Sequence, residues 1–304
     1  MNNQWSTIEW RGCYPSNWKG VVVTEAMAHP AKFSSKLIRR IYDHMLEEGW
    51  VTAGDSVVDP FGGVALGAFD AMRHGLHWTG IELEERFHKI GNANIDSWMT
   101  KYGGMRNWGT ARLLHGDSRE MCHVLRAMKA SEESYQISVS SPPYDESFKG
   151  EQEPYEVTHD RMVKNGHDVS KLGKNSYTSR IGYGKTDGQL GGADDFWLSA
   201  RAIVEQVYQS LTPGGHACWV VKDYVKAKQI VPFSDQWRQL CEAVGFETLH
   251  EHRAMLVHHK GRQGLLEGGT KEIKTESKSF FRRLAEKKGS PRIDWEVVWC
   301  MRKP

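Results

Sequence analysis

The chain has 304 residues, of which 39% are hydrophobic, with a mean hydropathy of −0.58 and a net charge of +2. This length allows one large α/β domain with insertions or two small domains. Neither a long apolar run nor a charged start followed by an apolar core is present, which predicts no membrane span and no signal peptide. Five cysteines without a Cys-x-x-Cys pair argue against zinc and against a disulfide framework. They favour a globular protein of the reducing cytoplasm.

Two segments precede the first predicted helix. The first 20 residues are irregular and rich in tryptophan, and we expect them to pack on the body of the protein as an arm, with no further function assigned. A turn then carries five candidate ligand contacts, namely His29, Pro30, Ala31, Lys32 and Phe33. Apolar residues at three- and four-residue spacing predict a helix from Ser34 or Ser35, either of which can be its N-cap, to about Gly49.

A βαβ unit with a glycine turn comes next. A buried strand is predicted over 55–59, and it runs into a turn formed by Asp59, Pro60, Phe61, Gly62 and Gly63. A helix is predicted over 64–74, and a second strand over 77–82 ends in Glu82. Open α/β sheets bind ligands at the carboxyl ends of their strands. Gly63 and Glu82 are 19 residues apart, close to the roughly 20 expected between a glycine turn and a ribose-binding carboxylate. The unit predicts a nucleoside cofactor, and the absence of Gly-x-Gly-x-x-Gly excludes a nicotinamide site.

Two further strands end in polar residues. A helix is predicted over 84–100, and a third strand over 111–118 ends near Asp117, which can also cap a helix over 118–129. The fourth strand starts at Tyr135. It ends at two prolines, because proline cannot donate to a strand ladder; the strand end reads Ser140, Ser141, Pro142, Pro143, Tyr144. The polar ends of all four strands are predicted to lie on one rim of the sheet.

The fourth strand end has the chemistry of a platform for a flat, polar substrate. Its prolines fix the backbone, so that the hydroxyl of Ser141 and the carbonyl of Pro142 can accept hydrogen bonds from an exocyclic amino group. Tyr144 can stack on the ring that bears this group. An ordinary turn is the alternative interpretation, because a short motif is only a hypothesis.

The second half contains two polar segments between regular elements. Residues 145–195 lack apolar periodicity, and a stretch this long is usually functional, for example as a lid, or disordered. Residues 254–292 are basic, because the stretch from Lys260 to Lys288 contains nine Lys or Arg and four Glu, a local charge of +5. Such a segment suits contact with a phosphate backbone, and an ordinary solvated surface helix is the alternative. The regular elements are helices over 196–211 and 233–244, a turn over 212–215, and strands over 216–222, about 247–258 and 295–302.

Three of these motifs resemble those of the amino-methyltransferases of DNA. Ser141–Tyr144 resembles their catalytic motif, (Asp/Asn/Ser)-Pro-Pro-(Tyr/Phe/Trp), in the serine version typical of cytosine-N4 enzymes. Asp59–Gly63, followed by Gly-Ile-Glu at residue 82, is similar to their S-adenosylmethionine motif, although Val64, Ala65 and Leu66 replace the usual Ser, Gly and Thr. His29–Phe33 looks like the motif beside the methionine tail of the cofactor. The resemblance covers residues 21–144 and 196–302.

The resemblance implies a fold and a site. The fold is α/β: a Rossmann-like S-adenosylmethionine methyltransferase domain over residues 1–304, with a mostly parallel seven-stranded sheet, a terminal antiparallel hairpin and helices on both faces. The insertions at 145–195 and 254–292 become candidates for DNA contact. Ser141–Tyr144 become the catalytic residues. The cofactor contacts become His29–Phe33, Asp59–Gly63, Glu82, Ser140 and Asp117, the last of these at the adenine amino group.

The implied reaction is direct methyl transfer from S-adenosylmethionine to the N4 amino group of a cytosine flipped out of double-stranded DNA. A partner restriction nuclease is compatible with this function, and the oligomeric state stays open. Adenine-N6 transfer, an RNA or protein-amide substrate, and an inactive DNA-binding protein are the alternatives. Cytosine-C5 chemistry needs a nucleophilic cysteine, commonly after proline, and no cysteine of this chain follows a proline.

Overall fold

The computed structural model describes residues 5–14, 18–29, 33–127, 134–143, 193–256, 260–261, 272–273 and 289–304. Strands and helices alternate in the first half, as the switch between two-residue and helical apolar periodicity predicts. They are β1 (Ser6–Trp10), α1 (Ser35–Glu47), β2 (Ser56–Asp59), α2 (Leu66–Arg73), β3 (His77–Glu82), α3 (Glu85–Tyr102), β4 (Thr110–His115), α4 (Met121–Ala127) and β5 (Tyr135–Ser140). Short 3-10 helices, Thr24–Ala28 and Ser118–Glu120, precede α1 and α4.

The second half adds two helices and the strands that complete the sheet. Its elements are α5 (Ala193–Ser210), β6 (Leu211–Val221), β7 (Tyr224–Lys226), β8 (Gln229–Val231), α6 (Phe233–Val244), β9 (Glu247–Met255), β10 (Lys260–Gly261), β11 (Glu272–Ile273) and β12 (Trp295–Arg302). The pairs β7–β8 and β10–β11 form two small antiparallel sheets of their own.

Eight strands form the main sheet in the order β1-β9-β12-β6-β5-β2-β3-β4. Neighbouring strands are parallel except at β12, which runs antiparallel to both β6 and β9. Consecutive strands proceed from β2 outward to β4, and the chain then returns to place β5 on the other side of β2. The sheet therefore reverses its strand order between β2 and β5, and ligands of open α/β sheets bind outside such a point.

Helices cover both faces of the sheet, because each has one apolar side to bury. On one face lie α1, α2 and α3, and the buried side of α1 is formed by Leu37, Ile38, Ile41, Tyr42 and Met45. On the other face lie α4, α5 and α6. Large aromatic side chains fill both layers: Trp78 and Trp98 on the first, Trp219 and Trp237 on the second.

The predicted fold class is confirmed, with its mostly parallel sheet, its helices on both faces and its antiparallel terminal hairpin, β9–β12. The predicted strand count was wrong, because the sheet has eight strands. The extra strand is β1, which lies in the segment predicted to be irregular and pairs in parallel with β9 at the sheet edge. Only this pairing makes β1 a strand, and its exposed pattern carries little local signal.

Two element boundaries differ from the prediction for local reasons. Helix α2 begins at Leu66 rather than at 64, because Ala65 adopts a left-handed backbone conformation with φ 62°. Strand β6 begins at Leu211 and includes the predicted turn over 212–215, where its register with β5 shifts and the amide of Gly214 donates to the carbonyl of Lys303.

Most of both insertions lies outside the described residues. For 145–195 this includes everything before α5, and for 254–292 everything except 254–256, the short pair β10–β11, and 289–292. Their predicted DNA contacts stay predictions. None of the helices in the described ranges combines the length and the hydrophobicity needed to span a lipid bilayer.

Candidate active site

Asp59 and Ser140 join the two strands between which the sheet reverses. Ser140 Oγ, at the end of β5, donates to Asp59 Oδ1, at the end of β2, over 2.5 Å. The same oxygen accepts from the backbone amide of Phe61 at 2.9 Å. Burial raises the pKa of Asp59 to about 6, although both hydrogen bonds act to lower it. This carboxyl therefore fixes the glycine turn and the neighbouring strand end together.

The glycine turn is pressed against β3 and β4. The amide of Gly62 donates to the carbonyl of Ile81 at 2.9 Å, and a Cβ on Gly62 would lie 2.5 Å from Leu113 Cδ1. It would also lie 3.1 Å from the carbonyl oxygen of Ile81, a tight contact with backbone that a side-chain rotation cannot relieve. Gly63 has φ +54°, a conformation that glycine adopts at little cost. Gly62 is therefore buried against the neighbouring strands, whereas Gly63 is partly exposed at the carboxyl end of β2.

Glu82 holds this turn from the end of β3. Its Oε2 accepts from the amide of Gly63 and its Oε1 from the amide of Glu84, both at 2.8 Å. Burial is the main cause that raises the pKa of Glu82 to about 7, and the nearby carboxyls of Glu84 and Asp59 raise it further. A carboxylate has about four lone-pair sites, so each oxygen can still accept a hydrogen bond from a ligand hydroxyl.

Two residues of the predicted methionine-tail segment, His29–Phe33, are described, and His29 lies beside the glycine turn. His29 is buried, its ring packs edge-on against Phe87 at 4.4 Å, and it lies 3.5 Å from the position of a Cβ on Gly63. The backbone carbonyl of Phe33 accepts a hydrogen bond from Trp18 Nε1 at 2.7 Å. Pro30, Ala31 and Lys32 lie outside the described residues.

Asn94 is a positioning residue that the motifs did not reveal. It is fully buried on α3; its Oδ1 accepts from the amide of Val23 at 2.8 Å, and its Nδ2 donates to the carbonyl of Val64 at 2.9 Å. It thereby joins the segment that leads to His29 with the end of the glycine turn. The available signal was an amide on the apolar face of a predicted helix, since buried polar groups are almost always hydrogen-bonded.

Asp117 is the N-cap of the 3-10 helix that follows β4, which was the alternative prediction for it. Its carboxylate accepts from the amide of Arg119 at 2.9 Å and from the guanidinium of the same residue. The adenine contact stays a prediction. The next residue, Ser118, was missed: its Oγ donates to the carbonyl of Pro60 at 2.5 Å and ties this loop to the glycine turn.

The described part of the predicted catalytic motif stands at the end of β5. Ser141 Oγ donates to the carbonyl of Val220 at 3.0 Å, which joins β5 to β6 beyond their paired residues. Because its proton is used in this bond, the hydroxyl can offer a ligand only its lone pairs. Pro142 is buried and Pro143 is half-buried, whereas Tyr144 lies outside the described residues.

The sequence matches no protein-family model, and no curated protein matches it significantly. Solved structures that resemble it include TrmN from Thermus thermophilus (12% identity, 92% of this chain and 52% of that chain, TM-score 0.44). Magnesium protoporphyrin IX methyltransferase from Synechocystis also resembles it (7% identity, 89% of this chain and 83% of that chain, TM-score 0.45). So does precorrin 8w decarboxylase from Methanobacterium thermoautotrophicum (12% identity, 95% of this chain and 96% of that chain, TM-score 0.42). The chain thus spans about half the length of TrmN. The fold assignment rests on its own strand order.

Two serines of β5 are expected to respond in opposite directions to removal of their hydroxyls. Ser138 Oγ is buried without a hydrogen-bond partner among the described residues, so Ser138→Ala should raise the free energy of unfolding by about 1 kcal/mol. Ser140→Ala removes the bond to buried Asp59 and should lower it by about 2 kcal/mol. Urea denaturation measures both, and changes of the same sign would contradict this assignment.

Replacement of Asn94 should destabilise the protein by leaving two backbone groups without partners. Asn94→Ala is expected to lower the free energy of unfolding by about 2–3 kcal/mol. The control is Asn92→Ala on the same helix, because Asn92 is only half-buried and bonds to His88 and Leu113 instead. Equal losses in the two variants, measured by thermal and urea unfolding, would show that Asn94 has no special bridging role.

Proposed function

We propose that this protein is an S-adenosylmethionine-dependent methyltransferase that modifies the N4 amino group of cytosine in double-stranded DNA. The observation that carries the proposal is the hydrogen-bonded unit at the point where the sheet reverses. There Asp59 and Glu82 hold the glycine turn, and Ser140 joins it to the strand that ends in Ser141. This unit supports a nucleoside site at the glycine turn and an acceptor for an amino group at Ser141 on the neighbouring strand end.

The residues at the turn fit the cofactor. Gly62 is buried against Ile81 and Leu113, whereas Gly63 is partly exposed and lies beside the His29 ring. The remaining lone pairs of Glu82 can accept the two ribose hydroxyls. When bound, the cofactor supplies a methyl group on a positively charged sulfonium, and the two buried carboxyl groups, Asp59 and Glu82, favour a cation nearby.

Ser141 suits an amino group as the methyl acceptor. Since its proton is committed to the Val220 carbonyl, its oxygen can accept an N–H and thereby orient the amino nitrogen toward the methyl group. Catalysis by positioning needs no covalent intermediate. Tyr144 is proposed to stack on the flipped base, and the carbonyl of Pro142 to accept a second N–H; both roles rest on the resemblance of the motif.

Serine at this position supports cytosine N4 over adenine N6, because adenine enzymes of the resembling family usually carry Asp or Asn there. Support for DNA comes from the local charge of +5 between Lys260 and Lys288, since basic segments release counterions from a phosphate backbone. Most of this segment lies outside the described residues. A partner restriction nuclease stays a prediction from the resemblance alone.

The test is methyl transfer from labelled S-adenosylmethionine to mixed genomic DNA, followed by separation of the nucleosides. N4-methylcytosine is the expected product. N6-methyladenine would keep the site and overturn the choice of base, and label in RNA or protein alone would overturn DNA as the substrate. A failure of the protein to bind the cofactor, measured by calorimetry, would overturn the enzyme assignment and favour an inactive DNA-binding protein.

Ser141→Ala should lower methyl transfer by about 100-fold or more, because the group that orients the amino nitrogen is lost. Cofactor affinity should not change, and loss of the bond to Val220 should cost about 1 kcal/mol of stability. The matched control is Ser138→Ala in the same strand, which should keep full turnover. Turnover of Ser141→Ala equal to that of the control would remove Ser141 from the mechanism.

Cofactor affinity should depend on pH through Glu82. The ionised carboxylate is the better acceptor for the two ribose hydroxyls, and its pKa is about 7. The affinity should therefore be close to its maximum at pH 8 and should fall as the pH falls through 7. The dissociation constant should rise about tenfold between pH 8 and pH 6. Calorimetric titration at several pH values measures this change.

Glu82→Gln is the control for this dependence. It should weaken binding at pH 8 and leave only the smaller effect of Asp59, whose pKa is about 6. A wild-type affinity that is constant from pH 6 to pH 8, or a normal affinity in Glu82→Gln, would contradict the ribose contact.

A further inference from the structure

Three histidines from distant parts of the chain meet on the sheet face that carries α1. His44 lies on α1, and His250 and His252 lie two residues apart on β9, so that both point to the same side of the sheet. His44 Nε2 is 3.2 Å from His250 Nδ1 and 3.0 Å from His252 Nε2. One ring nitrogen from each of the three lies within 4.8 Å of the others.

Hydrogen bonds alone cannot satisfy this histidine cluster. A neutral imidazole nitrogen carries either one proton or one lone pair, so His44 Nε2 can make only one of its two contacts a hydrogen bond. The other ring nitrogen of His252, Nδ1, takes no part in these contacts and is buried with no partner among the described residues.

We propose that His44, His250 and His252 bind a zinc ion, with water as the fourth ligand. Neutral imidazole is a preferred ligand of zinc, and the ion takes one lone pair from each ring and removes the conflict among them. With Zn–N bonds of about 2.0–2.1 Å, tetrahedral geometry places ligand nitrogens about 3.3 Å apart. The distances of 3.0 and 3.2 Å from His44 Nε2 are close to this spacing, whereas the full set spans up to 4.8 Å, so the rings of His250 and His252 must close on the ion when it binds.

The surroundings orient the three rings for this role. Glu48 Oε1 lies 3.9 Å from His44 Nδ1, which favours a proton on that nitrogen and leaves the Nε2 lone pair for the metal. Trp10 stacks on His252 with 4.1 Å between ring centroids, and Trp50 packs edge-on against His44 at 5.1 Å. His250 is half-buried, so its side of the cluster opens to solvent for the ion and its water.

Zinc at this position would pin α1 to the edge of the sheet. His250 and His252 are on β9, whose neighbour β1 contributes Trp10 to the wall of the cluster. A ligand that binds only the folded protein stabilises it, so the ion is expected to secure the N-terminal layer. The five cysteines take no part, and the three ligands span more than 200 residues, so no short spacing in the sequence indicates the site.

The test uses the full chain without an affinity tag, freed of metal by a chelator and then titrated. One zinc per chain should bind in calorimetry, the melting temperature should rise, and Co²⁺ should give the intense visible absorption of a tetrahedral site. His250→Ala should abolish all three effects. His216→Ala should keep them, since His216 stacks on Trp50 in the same region but lies outside the cluster.

A second control, His258→Ala with His259→Ala, removes two histidines outside the described residues and should also keep zinc binding. The Co²⁺ spectrum of the unmodified chain needs no folded variant, and a weak octahedral spectrum or no stoichiometric binding would overturn the proposal. Binding that survives both His250→Ala and His252→Ala would equally overturn it, because the ion would then lie elsewhere.

Discussion

Two buried carboxyl groups hold the glycine turn, and the rest of the candidate site depends on them. Burial disfavours their charged forms and raises both pKa values. Hydrogen bonds from Phe61 and Ser140 to Asp59, and from Gly63 and Glu84 to Glu82, offset part of this cost. These bonds tie β2, β3 and β5 together where the sheet reverses, so the turn cannot relax without breaking a bond to a buried charge.

A second set of bonds connects this turn to the helical layer beside it. Asn94 joins the glycine turn to the segment before His29, and Trp98 Nε1 donates to the carbonyl of Val21 at 2.6 Å. Helix α3 also packs closely, since a Cβ on Gly91 would lie 3.3 Å from the carbonyl oxygen of Gly63. The segment before His29 and the glycine turn are thus both held by helix α3, which belongs to neither motif.

The sequence could predict what is encoded locally. Apolar periodicity and turn residues placed the parallel strands and most helices, and the 19 residues between Gly63 and Glu82 correspond to a direct hydrogen bond. What it could not predict depends on distant partners: β1 is a strand only through β9, and Ser118 reaches Pro60 across 58 residues. The start of α2 at Leu66 depends on the left-handed conformation of Ala65, which an alanine in the sequence does not predict.

Helix α1 links the proposed zinc cluster to the candidate active site. It begins just after Phe33, and its His44 lies nine residues beyond Ser35, a rise of about 14 Å. Near this end the helix is fixed twice, because Tyr42 donates to the carbonyl of Gly67 on α2 at 3.1 Å and His44 contacts β9. A metal at His44 would therefore restrain the helix that follows the predicted methionine-tail segment, while β12, β6 and β5 separate β9 from β2.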